Sequence, residues 1–256
     1  MMKVDHQGRV AIVTGAGKGI GKATSLLLAR SGAKMVLVGR SAQSINETKA
    51  EIEKITPDVI AIEADVADWQ AIKAMADKAM DRFGRIDILV NNAGIDKQDK
   101  TREEQFTIDE IDDADYDKIV NTNMKGQFNC VKAVAPFMKQ QKYGRIVNVS
   151  STTGFDGNVA TAPYCASKAG IMAQTKTFAR ELGPFNICVN CVAPGFTLTT
   201  MQDHRTQEHI NMIANFMALK RVAKPEDVAH AILFFTTAEL FATGQVLVVD
   251  GGGTMH

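Results

Sequence analysis

Tyr164 and Lys168 stand four residues apart in the stretch SSTTGFDGNVATAPYCASKAG (residues 150–170), with no helix breaker following Pro163. On a helix that spacing stacks the two side chains on one face, so a phenol and an ammonium become neighbours. A free tyrosine titrates near pH ~10, and exchanging protons at neutral pH requires a phenolate stabilised by about three units, roughly 4 kcal/mol. A lysine cation kept out of bulk water is the simplest source of that stabilisation. Ser151, just after the apolar run Ile146 to Val149, offers a hydroxyl that can hold a carbonyl oxygen beside the phenol. The same four letters also describe a solvated helix face, so the rest of the chain must decide.

The elements around this segment have to carry it. With 256 residues, 45% of them hydrophobic, and no Pro/Gly/Ser-rich linker, the chain reads as one domain with enough apolar side chains for a core. Lys plus Arg equals Asp plus Glu at 29 each, which leaves no global field for nucleic acid or an anionic membrane surface. The leading MMKVDHQGR is too short and polar for a signal peptide, and no apolar run reaches the ~20 residues of a membrane span. The expected location is the cytoplasm, with no membrane partner. Four cysteines suit a reduced compartment. Cys188 and Cys191 form a CxxC inside an apparent strand, where residues three apart point to opposite faces, and the five histidines include no HExxH. No metal site is expected.

Seven apolar runs read as buried strands: Val10 to Thr14, Lys34 to Val38, Val59 to Ala64, Ile86 to Val90, Arg145 to Val149, Ile187 to Val192 and Val246 to Val249. Helical patterns separate them, at Gly19 to Ser31, Ala42 to Ile55, Asp68 to Phe83, Tyr116 to Gln140, Thr161 to Leu182 and Pro225 to Thr236. Apolar strands alternating with helices predict an α/β, doubly wound, Rossmann-like parallel sheet of seven strands with helices on both faces. Ligands of such a sheet bind beyond the carboxyl ends of the strands.

At the end of the first strand stands Thr14-Gly15-Ala16-Gly17-Lys18-Gly19-Ile20-Gly21. Glycines there permit a sharp turn, close approach to a pyrophosphate and tight helix packing, and the helix N-terminus presents free amides. The second strand ends in Arg40-Ser41 with no acidic residue to accept hydrogen bonds from a ribose 2′-hydroxyl. Arg40, with Lys18 reaching the same side, predicts NADP(H) rather than NAD(H). Ser41 either caps the next helix or meets the phosphate. Asp65 ends the third strand and Asn91-Asn92-Ala93-Gly94 follows the fourth, so both lie on the glycine-loop rim, as adenosine contacts or as turn residues. Ile95 to Asp115 is a long acidic connection, read as a wall of the substrate site or as a solvated insertion. Asn121-Thr122-Asn123 sits in a long amphipathic helix and needs partners, either backbone groups of a strained helix or a chain of waters.

Taken together these residues resemble the short-chain dehydrogenase/reductases over essentially the full length: TGAGKGIG, NNAG, YCASK and Pro194-Gly195 occur in the family's order. The resemblance implies reversible hydride transfer between a nicotinamide cofactor and a carbonyl or alcohol carbon. It makes Tyr164 the general acid or base, Lys168 its partner and a ribose ligand, Ser151 the substrate-orienting serine, and Asn123 the organiser of a water relay. It assigns Asp65, Val66, Asn91, Ala93 and Gly94 to the adenosine side, and Pro194, Gly195, Thr197 and Thr199 to the nicotinamide side. Residues up to about 150 then form the cofactor half and the remainder the catalytic half. The Met-rich segment at about 197–219 would be a lid over the substrate, and Met201, Met212, Phe216 and Met217 either line a pliable pocket or belong to the core. The family implies a homotetramer or homodimer. An acyl thioester, a steroid, a sugar or a cyclic ketone all fit as substrate. Rival readings are an NAD(H)-dependent member of the same family, an isomerase or dehydratase on a related fold, and a non-catalytic NADP(H) sensor.

Overall fold

β-Branched, breaker-free runs become the strands: β1 Val10–Thr14, β2 Lys34–Gly39, β3 Val59–Glu63, β4 Ile88–Asn91, β5 Gly144–Val149, β6 Ile187–Pro194 and β7 Val246–Val249. The computed structural model describes residues 4–96, 108–159, 161–202 and 205–254. All seven strands pair in parallel in one sheet of order β3-β2-β1-β4-β5-β6-β7. β1 is an interior strand next to the central β4, with Val13 opposite Leu37 of β2 and Val90 of β4. The chain builds outward to β3 and then restarts on the other side at β4. That reversal opens a crevice at the carboxyl ends of β1 and β4.

The helices are α1 Gly19–Arg30, α2 Ala42–Ile52, α3 Trp69–Phe83, α4 Asp113–Val120, α5 Gly126–Gln141, α6 Thr153–Asp156, α7 Ala162–Leu182, α8 Gln207–Phe216 and α9 Pro225–Phe235. Side-chain period along β1 divides the core. Val10 and Ile12 point to the layer holding Ile72 and Met75 of α3, Val134 and Met138 of α5 and Phe178 of α7. Ala11 and Val13 point the other way, onto Leu28 of α1 and Ile232 and Phe235 of α9.

Two expectations change. The helix expected from Tyr116 starts three residues earlier, where the Asp112 carboxylate caps it by accepting from the Ala114 N–H at 2.8 Å. It is also not one helix, because Asn121–Lys125 forms a π-helical turn between α4 and α5. Such a turn adds a residue to the repeat and re-aims side chains, which the apolar period of the sequence does not record. The acidic connection expected as a site wall lies mostly outside the described residues. β6 carries the CxxC to separate surroundings: Cys188 Sγ donates weakly to the Leu240 carbonyl at 3.7 Å, whereas Cys191 is buried beside Ile171 and Ala193. Among the described residues no helix is long and apolar enough to cross a membrane.

The segment before β1 is tied down by His6. Its N–H donates to the Ser31 carbonyl at 2.7 Å, and its Nε2 lies 2.9 Å from Thr236 Oγ1, whose own proton goes to the Leu233 carbonyl. The ring must therefore donate through Nε2, which leaves Nδ1 a bare, buried acceptor with no partner. Burial, aided by the charge of Arg9, holds the imidazole down at about 4. An unfolded chain takes up this proton near pH 6.5 and the folded one near 4, so the stability contribution is complete above 6.5 and is lost as pH falls through that window. The window corresponds to roughly 3 kcal/mol. Denaturant midpoints should fall between pH 6.5 and 4, and His6→Gln should flatten that slope; an equally steep slope in the variant would refute the assignment.

Candidate active site

Pro163 sits in the first turn of α7, where its missing N–H is harmless, so the helix begins just before Tyr164 and presents Lys168 one turn on. Lys168 is only 4% exposed. Its Nζ lies 5.3 Å from the Tyr164 ring centroid and donates to the Val149 carbonyl at 3.1 Å. Burial brings this ammonium down to about 8, with Cys191 and Asp96 pulling the other way. Burial also pushes the Tyr164 phenol above its ordinary value; Asp96 adds to this, and the Ser151 hydroxyl opposes it. Lys168 was expected to lower the phenol, but desolvation of the buried ring sets the net direction. The Lys168 Nζ is held by a strand carbonyl and stands off the ring. The phenol is kept protonated, the form that delivers a proton to a carbonyl oxygen.

Ser151 lies beside the phenol, and its Oγ accepts from Thr153 Oγ1 at 3.0 Å. Its neighbour Ser150 is buried and donates to the Lys168 carbonyl at 2.7 Å, fastening β5 to α7. The π-helical turn faces Asn123 inward. Its Nδ2 donates to the Ile95 carbonyl at 2.8 Å and to Ser167 Oγ at 3.1 Å, while its Oδ1 accepts from the Ile95 N–H at 2.7 Å. A Cβ on Gly94 would lie 3.3 Å from Asn123 Oδ1 and 3.5 Å from Lys168 Nζ, so glycine lets these groups close on the strand end.

The glycine loop and the Asn91–Gly94 segment form one surface. Thr14 Oγ1 accepts from the N–H groups of Asn92 and Ala93 at 3.1 and 3.0 Å, and Asn92 Nδ2 donates back to the Thr14 carbonyl at 3.0 Å. Gly15 and Gly19 have φ of +66° and +52°, and a Cβ on Gly21 would run into the Gly15 carbonyl. α2, α3, α4 and α8 are capped by Ser41, Asp68, Asp112 and Thr206, whereas α1 has no side-chain cap and no acidic residue in its first turn. Its amides and positive dipole end are thus left for an anion. One cavity of about 260 Å³ runs from this loop past Asn92–Gly94 to Ser151, Tyr164 and Lys168, and is closed by Pro194, Gly195, Thr197 and Thr199–Gln202. Thr199 packs against Gly19, and Thr197 Oγ1 donates to the Gly195 carbonyl at 3.0 Å.

Some expected cofactor residues serve elsewhere. Asn91 is fully buried, with Nδ2 donating to Asn148 Oδ1 at 2.9 Å inside the sheet. Adjacent strand residues face opposite ways, so Asn92, not Asn91, meets the glycine loop. Val66 packs on Gly126, and its carbonyl accepts from Asn129 Nδ2 at 3.0 Å, which anchors α5. Ser41 is the cap of α2, accepting from the Ser44 N–H at 3.3 Å. Gly17 packs against the Ser44 side chain of that helix. Asp65 accepts from the Ala67 N–H at 2.9 Å, and its other oxygen stands 4.0 Å from Arg40 Nη1. Asn92 was read from sequence only as one of the Asn91-Asn92-Ala93-Gly94 run, and Ser167 was not singled out. For Asn92 the signal was available in the alternation at the end of β4.

The family model described as short chain dehydrogenase matches residues 9–210. The chain belongs to the short-chain dehydrogenases. This short-chain dehydrogenase is 41% identical over 247 residues to a 3-oxoacyl-[acyl-carrier-protein] reductase of Thermotoga maritima, covering 96% of this chain and 98% of that one. It is 37% identical to the (2S)-[(R)-hydroxy(phenyl)methyl]succinyl-CoA dehydrogenase subunit of Thauera aromatica, covering 97% and 98%. A crystal structure from Agrobacterium tumefaciens, provisionally described as a gluconate dehydrogenase, superposes with a TM-score of 0.89 at 30% identity over 97% of each chain. The short-chain dehydrogenase is an oxidoreductase acting on a carbonyl or its alcohol.

Proposed function

We propose that the protein reduces a ketone, or oxidises the matching secondary alcohol, with NADP(H). The observation that carries this reading is the single cavity joining the uncapped N-terminus of α1 to Tyr164 and Lys168. The glycine loop fits a dinucleotide pyrophosphate, since its Cβ-free positions and free amides make a close, positive surface. When bound there, the nicotinamide supplies the hydride. The chain's own groups then do the rest. Ser151 donates to the carbonyl oxygen and holds it beside Tyr164, which gives up its proton to that oxygen. Lys168 compensates the negative charge left on the phenol, and Asn123 keeps the Gly94–Ile95 strand end against them. Pro194, Gly195, Thr197 and Thr199 would shape the nicotinamide end, and Gly15, Lys18, Gly19, Ile20 and Ala93 the phosphate and ribose side.

The preference for NADP(H) is supported by Arg40 and Lys18, both exposed at the loop. Among the described residues Arg40 pairs only with the part-exposed Asp65, at 4.0 Å, an ion pair weak enough to be exchanged for a 2′-phosphate. Turnover of a ketone panel, including a 3-oxoacyl thioester, should be faster with NADPH than with NADH. Arg40→Ala should lower the NADPH:NADH ratio of kcat/KM by about tenfold or more. A wild-type preference for NADH would sink the cofactor reading, and NADPH binding without turnover of any ketone would favour a non-catalytic sensor. The same reading makes the enzyme a cytoplasmic homotetramer or homodimer. Phe241 and Leu247, exposed beside and on the edge strand β7, are the side chains such an assembly would cover.

A further inference from the structure

Ser151 is held by a neighbour that stands back from the reacting groups. Its Oγ accepts twice from Thr153, from the backbone N–H at 3.3 Å and from Oγ1 at 3.0 Å. Ser151 and Tyr164 both line the cavity, whereas Thr153 does not. The main chain around this pair is pinned on both sides. The Thr152 N–H donates to the Pro194 carbonyl at 3.0 Å, and the Gly154 N–H to the Ser151 carbonyl at 3.1 Å. Gly154 lies so close to α7 that a Cβ there would come within 2.9 Å of the Lys168 carbonyl carbon. Ser151 is thus fixed on the same frame as Tyr164 and Lys168, and the direction of its hydroxyl proton is the freedom left to settle.

A hydroxyl has two acceptor lone pairs and one proton. Thr153 fills both lone pairs of Ser151, so the serine proton has to point away from α6. It also denies Ser151 the role of acceptor for the Tyr164 phenol, a bond that would spend the tyrosine proton on the serine. An O–H whose oxygen accepts hydrogen bonds is, in addition, the stronger donor, because linked hydrogen bonds polarise one another.

We propose that Thr153 is a positioning residue that saturates the acceptor side of Ser151, so that the Ser151 and Tyr164 protons converge on the substrate carbonyl oxygen. This deepens the ketone-reductase reading above and rests on it.

Thr153→Val keeps the side-chain shape and the backbone N–H but removes the hydroxyl, and Thr153→Ser keeps the hydroxyl. On a 3-oxoacyl thioester and a cyclic ketone with NADPH, Thr153→Val should lower kcat by about five- to tenfold, as for one lost hydrogen bond. Thr153→Ser should hold kcat within about twofold of wild type, and both variants should keep the NADPH dissociation constant within about twofold. In a Ser151→Ala background, followed in single turnovers so that slow reduction is resolved, Thr153→Val should cost less than about twofold, because the group it acts through is gone. An equal loss in the two backgrounds would make Thr153 a part of the fold alone and overturn the proposal. Unchanged kcat in Thr153→Val, or a serine variant as slow as the valine one, would do the same. A faster Thr153→Val would show the proton running from Ser151 into Thr153, which also overturns it. Each of these outcomes leaves the reductase reading standing, whereas a wild type that reduces neither ketone overturns both.

Discussion

Tyr164→Phe is expected to lower kcat by about 10³- to 10⁴-fold while leaving the cofactor dissociation constant within a few-fold of wild type. The substitution removes one oxygen. The ring keeps its place in the first turn of α7, and the glycine loop, which lies on the other side of the cavity, loses no contact. The proton destined for the carbonyl oxygen then has no donor except water or Ser151, whose hydroxyl is a far weaker acid. Loss on this scale in single-turnover experiments, with unaltered fluorescence titration of NADPH, identifies the chemical step as the one affected. Near-normal rates in the variant would remove Tyr164 from the mechanism, and a parallel loss of cofactor affinity would make its role structural.

Lys168→Met should separate stability from activity. The ammonium is buried and brought down to about 8 from 10.5, so near pH 7 the fold carries a desolvated charge, a penalty of up to roughly 3 kcal/mol. Methionine has a similar length and no charge. The Val149 carbonyl that loses Lys168 still accepts from Gln127 Nε2 at 3.1 Å, so no strand group is left unpaired. The cofactor-free variant should therefore be as stable as wild type or more so at pH 7. The sign follows from the depressed value: wild type carries the penalty below pH 8 and is relieved of it as pH rises to 10.5, so the variant's advantage should shrink across that range. Turnover should fall by at least about 100-fold, because the charge left on Tyr164 after proton transfer has no counter-ion. Thermal melts at pH 7 and pH 10 beside kcat measurements check both halves. A variant that is less stable at pH 7 would show that the ammonium holds the fold together.

The sheet was legible because its inner strands are buried on both faces and therefore largely apolar, as in Val10–Thr14 and Ile88–Asn91, while the edge strands β3 and β7 keep β-branched apolar runs although they are partly exposed. The positions of Tyr164, Lys168 and the glycine loop followed from helix period and glycine spacing. What stayed hidden depends on contacts between distant segments. A π-helical turn at Asn121–Lys125 leaves no mark in an apolar period, and so the clamp of Asn123 on Ile95 could not be foreseen. Asn91 and Asn92 are identical in type and differ only in the face each presents. The phenol's environment was misjudged for a similar reason. Spacing brings Lys168 near Tyr164, but only the packed structure shows Nζ committed to a carbonyl and burial governing the proton.

The Thr14 hydroxyl bridges two loops that are 78 residues apart in sequence, and its partners are all main-chain groups: it accepts from two N–H groups and donates to the Val90 carbonyl at 3.4 Å. The rim that meets the dinucleotide is thus braced before any nucleotide arrives. Little ordering entropy then opposes association, and the nucleotide should enter and leave by rigid docking, without a loop having to fold around it.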